Sequence, residues 1–78
     1  MVDLDTKNNI KTILDCFYFR TRPVLTLNEL QRTYKQLFPK NNFDLCLEQA
    51  YKFYCIRQTI NNDVIYITLD KISISVIF

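Results

Sequence analysis

An α+β domain, three helices closed by a β-hairpin, is predicted by three features of this 78-residue chain. The first is a helix signal at Thr26-Leu27-Asn28-Glu29-Leu30. Thr26 and Glu29 have the spacing of a capping box, in which the Thr hydroxyl accepts from the N–H of Glu29 and the Glu carboxylate accepts from the N–H of Thr26. Leu25 and Leu30 flank it as a hydrophobic staple. The second is a set of apolar stripes at three- and four-residue steps over the first two thirds of the chain. The third is a change of period after Cys55, where alternation, a turn and a β-branched run follow one another. Helix, short extended piece, helix, turn, helix and hairpin, in that order, is the layout of a winged helix, read here as a single domain over 1–78. The competing layout is a helical bundle with a peripheral hairpin.

Each element follows from local chemistry. Asp5 or Thr6 can cap a first helix running to about Phe19, with Ile10, Ile13, Leu14 and Phe17 facing inward and Val2 and Leu4 folded back onto it. Pro23 restricts Arg22 and ends this segment, and Val24-Leu25 is a very short extended piece. The second helix carries Leu27, Leu30, Tyr34, Leu37 and Phe38 on one stripe and stops at Pro39. Asn41 or Asn42 caps a third helix, whose inward positions are Phe43, Cys46, Leu47, Ala50, Phe53 and Tyr54. Asp44, Leu45, Glu48, Gln49 and Lys52 face outward. Ile56–Ile60 and Val64–Leu69 form a hairpin around a three-residue tip, Asn61-Asn62-Asp63. Beyond Asp70-Lys71, the alternation from Ile72 to Phe78 predicts one further strand, folded back so that Ile65, Ile67, Leu69, Ile72, Ile74 and Val76 share a face.

Composition narrows the function classes. With no glycine, every residue of positive φ is expected at Asn or Asp, first of all in the pairs at 41–42 and 61–62, and no glycine-based phosphate loop exists. The three cysteines, Cys16, Cys46 and Cys55, have no CxxC spacing and the chain has no histidine, so the expectation is buried thiols in a reducing compartment, no metal and no cofactor. No apolar run approaches the roughly 18 residues of a membrane span, which gives a cytoplasmic, membrane-free expectation. The acids are scattered, and without histidine no catalytic constellation emerges; enzymatic activity and catalytic residues are not expected.

Net charge is only +2. Duplex DNA is disfavoured as a partner, because the third helix would offer Asp44 and Glu48 to the phosphates with Lys52 the sole cation. A basic group does gather around the end of the first helix and the outer face of the second, at Arg20, Arg22, Arg32 and Lys35. Such charges are most often simply solvated; as a functional group they form a patch for RNA or for an acidic protein surface. The predicted C-terminal strand is apolar and carries no charge, proline or bulge between Ile72 and Phe78. Unguarded edges attract partners. Ile72, Ile74, Val76, Ile77 and Phe78 are accordingly expected to form a two-fold dimer contact.

Leu27-x-x-Leu30-x-x-x-Tyr34-x-x-x-Phe38, a turn, then Phe43-Asp44-x-x-Leu47 and a hairpin resemble the LOTUS domain, also called OST-HTH, of germline proteins such as Oskar and the Tudor-domain proteins. The likeness spans roughly Ile10 to Leu69; where the family commonly has glycine, this chain has Pro39 and Asn42. The resemblance implies a non-catalytic winged helix that docks a protein partner, such as a DEAD-box RNA helicase, or RNA, in a ribonucleoprotein assembly such as a germ granule. In helicase-binding members the second helix acts together with a helix that follows the wing. Because 72–78 reads as a strand, that helix is not expected in this chain. The composition also fits a second reading, a small viral or plasmid winged-helix regulator that binds DNA or acts as a dimeric protein inhibitor.

Overall fold

The computed structural model describes residues 2–78. In chain order the elements are α1 (Leu4–Arg20), β1 (Val24–Thr26), α2 (Leu27–Leu37), α3 (Phe43–Lys52), β2 (Ile56–Asn61), β3 (Val64–Leu69) and α4 (Lys71–Ile77). The result is an α+β fold of four helices and one antiparallel three-stranded sheet of order β1-β3-β2.

The capping box of α2 forms as its sequence requires. Glu29 N–H donates to Thr26 Oγ1 at 3.1 Å and Thr26 N–H donates to Glu29 Oε1 at 3.0 Å. Leu25 and Leu30, the expected staple, both lie in the core. Thr26→Ala is expected to cost about 1 kcal/mol, the usual loss on removing an N-cap, measured as a shift in denaturant midpoint.

α1 starts two or three residues earlier than expected. Its cap is Asp3, whose carboxylate accepts from the Thr6 N–H at 2.7 Å, and not Asp5 or Thr6. The inward stripe is as read, with Cys16 added, but Leu4 is 71% exposed and does not fold back. The helix closes on Thr21 in the left-handed region, φ 55°, and the N–H groups of Thr21 and Arg22 return to Tyr18 and Phe17 carbonyls. Thr21 and Tyr54 (φ 61°) both hold positive φ, so the expectation that only Asn or Asp would do so is corrected. Thr21 satisfies helix-end carbonyls and Tyr54 turns the chain from α3 into β2, where the following Cys55 N–H bonds the Ala50 carbonyl at 3.0 Å. The pair at 41–42 stays outside that region; Asn42 serves instead as the cap of α3.

Because α3 ends at Lys52, Tyr54 leaves the helical stripe and is 72% exposed, contrary to its expected burial. The hairpin tip has two residues, not three: Asn62 and Asp63 have φ of 51° and 64°, the positive pair that a type I′ turn needs. Asn61 pairs with Val64 and belongs to the ladder.

The extended piece at 24–26 pairs with β3 in the register Val24↔Thr68, Leu25↔Ile67, Thr26↔Tyr66. β3 is therefore the central strand, and Ile67 and Leu69 enter the core from it. This overturns the C-terminal strand. A segment folding back from Leu69 would need a free edge of β3, and β1 and β2 occupy both edges. Asp70 instead caps a helix, its carboxylate accepting from the Ser73 N–H at 3.1 Å. Helical spacing then turns Ile74 and Ile77 toward the core and leaves Ile72 and Val76 outside.

Candidate functional site

The four predicted basic residues separate into two environments. Arg20, at the end of α1, and Arg22, in the loop, converge on one acceptor, Glu29 Oε2, the former at 3.4 Å. Glu29 thus carries both the cap of α2 and two guanidiniums. The Arg22 hydrogen bond, assisted by the Thr26 N–H, holds its carboxyl at about 2, below the ordinary 4.5. Arg32 and Lys35 lie further along α2 and have no ion-pair partner among the described residues. With Asn28 and Gln31 they line a shallow polar groove of about 270 Å³.

The depressed Glu29 pKa has a definite sign. A carboxylate with a lowered folded-state value contributes stability that is fully present above its unfolded value, near 4.5, and is lost as pH falls toward 2. Glu29→Gln keeps the capping-box chemistry and removes the charge. The melting-temperature difference between parent and Glu29→Gln is expected to be largest above about pH 4.5 and to close toward pH 2. Asp3, held low by the Thr6 N–H, titrates alike in both proteins and cancels from the comparison.

α3 offers little to phosphate. Asp44 and Glu48 are exposed, and Gln49, expected to face outward, accepts from Asn9 Nδ2 of α1 at 2.9 Å and is half-buried. The three thiols are buried and unpaired. Burial pushes Cys16 up to about 12 and raises Cys55, which keeps both protonated and unreactive at neutral pH.

The residues expected to form a dimer strand divide as a helix divides them. Ile74 and Ile77 pack against the core, whereas Ile72, Val76 and Phe78 are 80%, 81% and 52% exposed. Backbone pairing through this segment is excluded by its helical hydrogen bonds, such as Phe78 N–H to the Ile74 carbonyl at 2.9 Å. What remains is an apolar side-chain surface. Tyr54 extends it: with Phe53 and Lys52 it faces Ile72, Val76 and Ile77 across a groove of about 300 Å³. A second groove of about 270 Å³, lined by Val2, Lys7, Val76 and Ile77, shares its last two residues with the first. Sequence reading missed Tyr54, Lys52 and Lys7 here. The available signal was the switch from helical to alternating period next to Cys55, where a residue leaving a helix can no longer be assigned by the helical stripe.

No protein-family model matches the chain, nor does any curated protein or solved structure. Among the described residues, no helix is long and apolar enough to cross a membrane.

Proposed function

We propose that this chain is a non-catalytic docking module of winged-helix type that binds a protein partner within a ribonucleoprotein assembly. The element order and the pairing of the short β1 with a C-terminal hairpin support the winged-helix reading. The observation that carries the docking reading is the exposure of Tyr54, Ile72 and Val76 on one surface. Isolated apolar side chains on a surface are ordinary, but a contiguous patch flanked by grooves is the mark of an interaction face. The LOTUS resemblance supports the same class, and α4 follows the hairpin in the chain order at which helicase-binding members carry their extra helix. The grooves on α4 are shared with the end of α3 and the start of α1, so the partner geometry proposed here is its own.

Binding of RNA is the second reading, favoured by the unpaired Arg32 and Lys35 beside Asn28 and Gln31. A pull-down from native-cell extract, with and without nuclease, separates the two. Nuclease-resistant retention that is lost in Val76→Lys and kept in Arg32→Glu/Lys35→Glu is the expected result. The reverse pattern would make RNA the ligand. Labelled duplex DNA is expected not to bind at physiological salt, and micromolar binding with a steep salt dependence would overturn that expectation.

A further inference from the structure

The two grooves beside α4 share Val76 and Ile77 and so adjoin one another as one channel interrupted at those two residues. Apolar groups make the floor: Phe53, Tyr54 and Ile72 in the first groove, Val2 in the second. The charged side chains that line the channel are both cations, Lys52 in the first groove and Lys7 in the second, with no carboxylate in either lining. Lys52 Nζ sits 5.8 Å from the centroid of the Phe53 ring, which holds its charge over the apolar floor. Neither lysine has an ion-pair partner among the described residues.

That charge pattern discriminates between occupants. In an isologous pair each copy presents the same surface, so the lysines of one channel would meet a second channel whose lining holds no acid. An acidic partner offsets both. The backbone chemistry narrows the choice further. α4 bonds its own N–H and C=O groups, and therefore offers no strand edge for an extended peptide to lengthen. Each groove is at or just below the smallest small-molecule pockets and matches one or two side chains. Side-chain anchors projecting from a regular scaffold are what an amphipathic helix supplies.

Resting on the docking reading above, we propose that the channel across α4 binds an acidic amphipathic helix of another protein. Its apolar side chains fill the two grooves that meet at Val76 and Ile77, and its Asp and Glu residues face Lys7 and Lys52.

A random peptide-display library selected on the full chain, and counter-selected on Val76→Lys, tests this. Val76 is 81% exposed, so the counter-selection variant is expected to fold, checked by circular dichroism. The expected outcome is Val76-dependent peptides enriched in Asp and Glu around apolar residues at three- and four-residue steps. Their affinity should fall about tenfold at low salt in Lys7→Glu/Lys52→Glu, as two partly solvated charge pairs allow. Val76-dependent peptides without acidic enrichment, or with affinity indifferent to the charge reversal, would overturn the inference and leave the docking reading standing. No Val76-dependent peptide at all would remove both. Sedimentation of the protein alone supplies the last arm: self-association abolished by Val76→Lys would make the occupant a second copy and overturn the proposal.

Discussion

Tyr34→Ala is expected to destabilise the domain by ~3–5 kcal/mol, the range for emptying a buried aromatic site. Tyr34 is 1% exposed, and its ring centroid lies 5.2 Å from that of Phe38 and 5.1 Å from that of Phe43, so the truncation leaves two aromatic neighbours without a partner. The hydroxyl adds a polar part. It is 2.9 Å from Thr12 Oγ1 of α1 and donates to Cys46 Sγ of α3 at 3.1 Å, joining three helices at one atom. Thr12 retains the Asn9 carbonyl as an acceptor, at 2.6 Å, so Tyr34→Phe is expected to cost only about 1 kcal/mol. A chain of this size is stable by roughly 4–12 kcal/mol in all. The alanine variant should therefore lose a large share of that stability and unfold at a clearly lower denaturant concentration, and a midpoint equal to the parent's would contradict the packing described.

Leu30→Ala carries the second large effect, ~2–5 kcal/mol, because Leu30 is 0% exposed where α2 meets the core. Leu37 shares its helical stripe and the sequence alone makes the two equivalent. In the fold Leu37 is half-buried near the end of the helix, and its truncation should cost about 2 kcal/mol or less. Parallel urea melts of the two variants check the order. Equal costs would mean that α2 is buried along its whole length.

The difference between Leu30 and Leu37 shows where sequence reading stops. Thr26, Glu29 and Leu30 settle the start of α2 because cap, staple and stripe act within a few residues of one another. The fate of 72–78 depends on a remote fact, that β1 had already taken the second edge of β3. Alternating Ile and Ser residues fit a strand or a short helix, and only edge availability and the Asp70 cap decide between them. The site follows the same division. Arg20 and Arg22 were legible as cations, and Glu29 as a cap, but their convergence needs the loop after α1 to bring positions seven and nine residues apart together. Tyr54 reads as inward because its spacing continues the α3 stripe; one residue of positive φ reverses it.

The position of β3 also governs when this fold can form during synthesis. β1 emerges from a ribosome about 40 residues before its hydrogen-bonding partner, with the register Leu25↔Ile67. At ordinary elongation rates of roughly 5–20 residues per second, that is a delay of about 2–8 seconds. Until then α1, α2 and α3, each as it emerges, have no Ile67 or Leu69 to cover their apolar sides. The nascent helices must wait, apolar side exposed, for the strand that completes the sheet. Rare codons between Asn42 and Asp63 would lengthen that wait, and a chaperone that holds apolar helical segments would be of most use to this protein there.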